Sequence, residues 1–243
     1  MSTPPLFLLD SLPDGDALEL LGEEGHHAAR VRRLGVGELL VAGDGRGLVA
    51  TCRVTRVRPD GLDLQILSRS AHPQPSPRLV LVQALPKGDR GELTVELATE
   101  LGADEVVPWA AARCVTRWNG ARGDRAHARW ARTAREAAKQ SRRPWVPAVT
   151  PLAETTEVVT RLRAAAGLVL HESAASPLAT APLPADGDLL VIVGPEGGVS
   201  DEEASLFTGA GATCVRLGRS VLRTSTAGAA ALAALSLRLG RWD

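Results

Sequence analysis

The sequence predicts an α/β protein, with a small N-terminal β domain followed by a larger, mostly parallel α/β domain. Three observations carry this. The first seventy residues hold short alternating apolar segments around Gly/Asp turns. From Leu79 onward, apolar runs of strand length alternate with helical stretches. Between them, "SAHPQPSPR", Ser70 to Arg78, is Pro-rich and polar, the composition of a linker. The expected boundaries are a β domain over 1–70, a linker over 71–78 and an α/β domain over 79–243.

The elements follow in order. "EEGHHAARVRRLG", Glu23 to Gly35, reads as a short helix ending at glycine. Leu39 to Ala42 and Leu48 to Val57 are strands joined by the Gly/Asp turn of "VAGDGRG", and "GLDLQIL" is a third strand. "LVLVQAL" is apolar throughout, as in a strand covered on both faces. "GELTVELATELGA" is helical, with Leu93, Leu97 and Leu101 on one face and Gly102 as a stop. "DEVVPWA" is a strand, Arg125 to Gln140 a helix, "TEVVTRLRAAAG" a helix and "LVLHE" a strand. "DLLVIV", "DEEASLFTGAG" and "TCVRL" give strand, helix and strand, and "TSTAGAAALAALSLRLG" is an Ala-rich final helix.

Composition excludes several classes. Lys+Arg and Asp+Glu are both 28, so the total charge names no partner. Cys52, Cys114 and Cys214 are far apart and odd in number, which fits a reduced, cytoplasmic protein without zinc or redox spacing. The N-terminus lacks a basic, then long apolar, signal pattern, and no stretch reaches the ~18 apolar residues of a membrane span. With two Phe and no Tyr, a base-stacking aromatic sheet is disfavoured. The glycines of "VAGDGRG" with Asp63 downstream mimic a nucleotide loop, but a strand follows them rather than a helix, so they form a hairpin.

Ligands of open parallel sheets sit beyond the carboxyl ends of the strands. Three such ends are unusual here: "LVLHES" with Leu170, His171 and Glu172; "VIVGPEGGVS" with Gly194, Pro195, Glu196, Gly197 and Gly198; and "VRLGRSVLRTSTAG" with Leu217, Gly218, Leu222 and Arg223. Ser200 and Glu203 form an S-x-x-E capping box, which is structural. Three glycines in five residues expose backbone to close approach, although a tight strand-to-helix connection explains them equally well. A pyrophosphate is disfavoured, because Pro195 removes an N–H and Glu196 repels the anion. A cationic, phosphate-free ligand fits better, and S-adenosylmethionine is one.

Arg113 to Arg143 carries ten basic residues against Asp124 and Glu136. At helical spacing Arg125, Arg129, Arg132, Arg135 and Lys139 share one side, and Ala126, Trp130, Ala134 and Ala137 the other. Such runs are usually solvated faces, but in a chain of zero net charge this concentration favours a polyanionic partner. Arg113, Arg142 and Arg143 extend the cluster, and His26, Arg30, Arg32 and Arg33 form a second one in the first domain. Neither His26 nor His27 has a metal-ligand constellation, and no metal is expected.

Together these residues resemble one family. "GPEGGVSDEE" followed by "LGRSVLRTSTA", with "KGDR", "ATELG" and "RCV" upstream and "EGHHAARVRRLGVGE" at the front, is similar to the 16S rRNA (uracil-N3)-methyltransferases of the SPOUT class over nearly the whole chain. The resemblance implies a PUA-like, RNA-binding β-barrel, a SPOUT domain with a C-terminal trefoil knot, S-adenosylmethionine bound in the knot and a homodimer. It makes small-subunit ribosomal RNA the expected partner and places the cofactor on Leu170–Glu172, Gly194–Gly198 and Leu217–Arg223. The chain departs from the family pattern at Glu96 and Leu97, where members often carry Gln-Lys, and at Lys139, Gln140 and Arg143, where they often carry E-Q-x-x-R.

Methylating uracil N3 requires loss of its proton, with charge developing on O2 and O4. Arg223 is the candidate to stabilise that charge. Glu196, with Glu172 and His171, is a candidate base by location only, and uracil N3 is acidic enough for solvent to serve instead. The rival reading is a non-catalytic RNA-binding or ribosome-assembly factor on the same fold. Such a binder would have no use for Gly194, Gly197, Gly198 and Arg223 together.

Overall fold

The computed structural model describes residues 3–242. By contact it divides into two units, one of residues 1–74 with 138–146, the other of 75–137 with 147–243.

The first unit is a five-stranded sheet ordered β1-β3-β4-β5-β2. Its strands are β1 (Leu6–Leu8), β2 (Ala17–Leu20), β3 (Leu39–Gly43), β4 (Leu48–Arg58) and β5 (Gly61–Ala71). β1 runs parallel to β3, and the other pairs are antiparallel. Alternation along β4 sends Ala50, Cys52 and Val54 into a core with Phe7, Leu20, Leu40, Leu62 and Leu64. The "VAGDGRG" segment is the β3–β4 hairpin, where the Asp44 carboxylate accepts from the N–H of Arg46 (2.7 Å) and Leu48 (3.1 Å). β1 and β2 escape the sequence reading because β1 is three residues long and Pro- and Gly-bearing chain flanks both.

The helix expected over Glu23 to Gly35 is shorter. α1 (Gly22–His26) runs into a π-helical turn over His27–Val31, and Arg33 at φ 56° turns the chain before Gly35 is reached. Leu34 N–H then closes onto the Ala28 carbonyl at 3.1 Å. An arginine thus occupies the left-handed position that glycine usually takes, at a cost of about 1 kcal/mol.

The second unit holds a seven-stranded parallel sheet, β10-β12-β9-β11-β6-β7-β8. In chain order its elements are β6 (Arg78–Ala84), α2 (Arg90–Glu100), β7 (Glu105–Trp109), α3 (Gly120–Gln140, whose last turn belongs to the first unit), β8 (Ala148–Val149), α4 (Thr155–Leu162), β9 (Ala166–Leu170), β10 (Ser176–Pro177), β11 (Asp188–Val193), α5 (Asp201–Gly209), β12 (Thr213–Arg216) and α6 (Thr224–Arg238). Leu79 to Val82 and Leu189 to Val193 are buried on both faces, as their unbroken apolar runs require. Trp109 meets Phe207 edge-on at 5.3 Å within this core.

α2 buries a different face from the expected one. Gly91, Thr94, Val95, Ala98 and Thr99 point inward, while Leu93 stays 47% exposed and Leu97 and Leu101 are half-buried. Small residues win the inner face because α2 packs against Ala-rich α6 and because Gly91 lies against the Trp130 indole, where a Cβ would come within 2.6 Å. Gly102 ends the helix at φ +99°, as its position suggests.

Candidate active site at the carboxyl ends of the parallel sheet

A cavity of about 620 Å³ opens beyond the carboxyl ends of β9 and β11, between the loops that follow β6, β9, β11 and β12. Its floor is the 194–199 loop. Gly198 N–H closes a turn onto the Pro195 carbonyl at 2.8 Å, and Gly198 sits at φ +73°. A Cβ on Gly194 would come within 2.8 Å of the Val199 nitrogen, so only glycine permits this turn. The capping box then starts α5: Glu203 N–H donates to Ser200 Oγ at 3.2 Å, and Ser200 N–H donates to the Glu203 carboxylate at 3.0 Å. Glu203 is buried, and its other oxygen accepts from Ala112 N–H (2.8 Å) and Thr155 Oγ1 (3.2 Å).

Four contacts fix the loop from outside. Arg113 donates to the Gly197 carbonyl (3.0 Å) and the Val199 carbonyl (3.3 Å). Glu196 accepts from Lys87 N–H at 3.0 Å, tying the loop to the segment after β6. Thr224 Oγ1 donates to the Gly194 carbonyl while accepting from buried Gln83 at 3.0 Å. These last bonds bring the start of α6 back over the β6 and β11 ends.

The expected site residues sort as follows. Leu170, Glu172, Gly194, Pro195, Glu196, Gly197, Gly198, Leu222 and Arg223 all line the cavity. His171, Leu217 and Gly218 do not. The His171 ring turns to Ser173, 2.9 Å from its hydroxyl, and Leu217 packs on the core. The sequence reading missed Lys87, Arg90, Val193, Val199, Val221, Thr224 and Ala227 in the wall. The position of "KGDR" after a buried parallel strand was the available signal for Lys87 and Arg90.

The basic cluster divides. Arg125 and Arg132 are exposed on α3, and their side chains make no hydrogen bond or ion pair among the described residues. Arg129 pairs with Glu92 at 2.8 Å. Ala126, Trp130, Ala134 and Ala137 are buried, as the helical spacing requires. Lys139 leaves the exposed stripe: it is buried, and its Nζ lies 2.7 Å from Glu24, because the last turn of α3 belongs to the first unit. Arg113 stays exposed but is already engaged, since its guanidinium holds the 194–199 loop. Within the first unit, Arg32, Lys139 and Arg142 line a cavity of about 230 Å³ with His27. Arg142 donates to the Thr3 carbonyl and Arg30 to the Pro59 carbonyl. His26 and Arg33 are exposed, and Arg143 is half-buried. Among the described residues no His/Cys/Asp/Glu group could hold a metal, and no helix is long and apolar enough to cross a membrane.

A parallel sheet whose strand ends carry a phosphate-averse glycine loop and a cavity lined by both apolar and charged residues fits a nucleoside-cofactor enzyme better than a nucleotide-phosphate one. Comparison with known proteins narrows this. Residues 72–236 match the model of an RNA methyltransferase domain and residues 20–67 that of an RNA methyltransferase PUA domain. The chain belongs to this RNA methyltransferase family, within the SPOUT class. It is 47% identical to ribosomal RNA small subunit methyltransferase E of Mycobacterium tuberculosis, over 98% of this chain and 93% of that one. The Bacillus subtilis protein of the same name is 29% identical over 93% of this chain and 91% of its own length. Among solved structures, ribosomal RNA small subunit methyltransferase E from Neisseria gonorrhoeae bound to S-adenosyl methionine superposes with a TM-score of 0.86, at 29% identity and over 97% of this chain and 98% of that one.

Proposed function

We propose that this chain transfers the methyl group of S-adenosylmethionine to N3 of a uracil in small-subunit ribosomal RNA. The observation that carries the reading is the cavity at the strand ends, with a cradle only glycine can form and the guanidinium of Arg223 in its wall. Family membership and the cofactor-bound relative support it.

The residues present fit the cofactor. Gly194, whose Cβ would meet the Val199 nitrogen at 2.8 Å, and Gly198, at φ +73°, allow the turn that shapes the cradle, and Leu170, Val193, Val199, Val221 and Leu222 suit an adenine ring. Glu172 and Glu196 supply negative charge suited to a sulfonium. When bound, S-adenosylmethionine supplies an electrophilic methyl group.

Arg223 is exposed at the N-cap of α6, and its side chain makes no hydrogen bond or ion pair among the described residues. It is free to meet the charge that grows on uracil O2 and O4 as N3 loses its proton. Glu196 accepts from Lys87 N–H through one oxygen, a bond that also braces the loop and weakens its claim as the base. Glu172, also lining the cavity, has no side-chain partner among the described residues and is better placed to take the proton. A uracil inside a helix must leave its stack to reach these groups.

The first unit, 1–74 with 138–146 rather than the expected 1–70 and linker 71–78, and exposed Arg125 and Arg132 would hold the RNA, and the second unit would carry the chemistry. Return of the chain from β12 to Thr224, bonded to Gly194 and Gln83, supports a trefoil knot. Exposed Leu93, Leu237 and Trp242 supply apolar surface for a homodimer. The proposed setting is the cytoplasm. Incubation with small-subunit ribosomal RNA and S-adenosylmethionine, then nucleoside mass spectrometry, should yield 3-methyluridine. Unmodified RNA, or a methyl group elsewhere, would overturn the reading.

A further inference from the structure

A second cavity, of about 610 Å³, shares a wall with the first. The wall is the segment after β6. Lys87 and Arg90 line the first cavity, whereas Gly88, Asp89 and Gly91 line the second. The opposite side is formed by residues 115–119 and the first turns of α3, with Thr116, Arg117, Trp118, Asn119 and Arg122 in the lining. This side is built rather than merely exposed. Thr116 Oγ1 donates to the Pro86 carbonyl at 2.8 Å, and Trp118 meets Trp130 edge-on at 4.9 Å. Trp130 in turn rests on Gly91, where a Cβ would lie within 2.6 Å of the indole nitrogen.

The chemistry of this cleft differs from that of its neighbour. Arg129 and Glu92 neutralise each other at 2.8 Å, leaving Arg117 and Arg122 against Asp89. Arg122 and Asn119 are exposed, and their side chains make no hydrogen bond or ion pair among the described residues. A free guanidinium suits a phosphate. A free carboxamide presents both donor and acceptor to a base edge, and half-exposed Trp118 offers apolar surface to a base face. These are the needs of an unstacked nucleotide of single-stranded RNA.

The geometry points to this cleft as the subsite for a nucleotide flanking the methylated uridine, with its phosphate on Arg122 and its base edge on Asn119. The inference rests on the RNA methylation proposed above. It adds a reason for the shared wall: a strand crossing Lys87–Gly91 places one nucleotide in each cavity. Arg122, Asn119 and Trp118 then choose the sequence context, while Arg223 acts on the reacting base.

The test is binding of a single-stranded fragment of small-subunit ribosomal RNA to the full chain across a salt series. Arg122→Glu should raise Kd about tenfold or more, and Arg122→Ala should lower the salt slope by about 0.7. Arg163→Glu, an equal charge change on an exposed residue after α4 at the amino ends of the strands, should do neither. S-adenosylmethionine affinity should match wild type in every variant. Replacing each nucleotide beside the methylated uridine by an abasic one should weaken the wild type at one position and add little to Asn119→Ala. Wild-type RNA affinity and slope in the Arg122 variants would overturn the subsite and leave the methylation reading standing. So would intact RNA binding with lost methylation of assembled subunits only, which would assign the cleft to a protein partner. Failure of the wild type itself to methylate RNA would instead count against the function.

Discussion

Gly197 shows how little space the 194–199 loop leaves. A Cβ there would lie 3.3 Å from the Arg113 Cβ, and Arg113 is held by the carbonyls of Gly197 and Val199. A branched side chain has to displace either that arginine or the ligand. Gly197→Val should therefore abolish the rise in melting temperature caused by S-adenosylmethionine, and an unchanged rise would remove the loop from the cofactor site. Arg223 makes the opposite kind of prediction, because nothing in the fold depends on its guanidinium. Arg223→Ala should leave cofactor and RNA affinities near wild type and lower single-turnover methylation on the order of 10²-fold. Arg223→Lys should recover only part, since a point charge lacks the planar fork. A full rate in the Ala variant would make Arg223 a binding residue.

Two elements show what a sequence discloses and what it withholds. In α3 the 3.6-residue period separated buried Trp130 and Ala134 from exposed Arg125 and Arg132 without any tertiary information. It could not show that Glu24 waits beside Lys139, because that pairing spans 115 residues of sequence. Removing Arg125 or Arg132 should lower the salt slope of RNA binding by about 0.7 each, and removing Arg129 by less, because Glu92 already holds it. Equal slopes for all variants would return α3 to a solvated face. In α2 the leucine period misled, because small residues were needed where α6 approaches. The 194–199 loop stood out in the sequence because Pro195 and Glu196 oppose phosphate locally, but Lys87 and Thr224 reach the cavity it lines only through strand order. The parallel sheet adds a pH dependence at the amino ends of its strands. Burial pushes the Glu105 carboxyl up, but Arg161 at 2.6 Å and Arg78 at 2.9 Å outweigh it and hold the group below its ordinary range. A depressed carboxyl stabilises the fold above its unfolded pKa of about 4.3, and that contribution is lost as pH falls through the lower folded value. Glu105→Gln should lower the urea midpoint at neutral pH and narrow its gap to wild type as the solution is acidified below about pH 4. A gap constant with pH would mean that packing, not charge, dominates there.

At the scale of the whole molecule, the first unit is discontinuous in sequence. Residues 138–146 return to it after the chain has built α2, β7 and most of α3. The return segment is held by named bonds. Gly47 N–H donates to the Pro144 carbonyl at 3.0 Å, Val146 N–H to the Gly45 carbonyl at 2.9 Å, and the Trp145 indole N–H to the His72 carbonyl at 2.9 Å. The fit is close, since a Cβ on Gly47 would come within 2.7 Å of the Trp145 ring. The β3–β4 hairpin and the end of β5 therefore depend on residues some seventy to a hundred positions downstream, and a fragment cut at the linker would lack them. Trp145→Ala removes one hydrogen bond and the packing of a half-exposed ring, a loss of about 2 kcal/mol. Amide exchange at Gly47 and His72 should accelerate accordingly. Cofactor affinity should not move, because every residue lining that cavity belongs to the second unit. Unchanged protection at both amides would show that the hairpin stands without the returning segment. Weakened cofactor binding would show that the two units are energetically coupled.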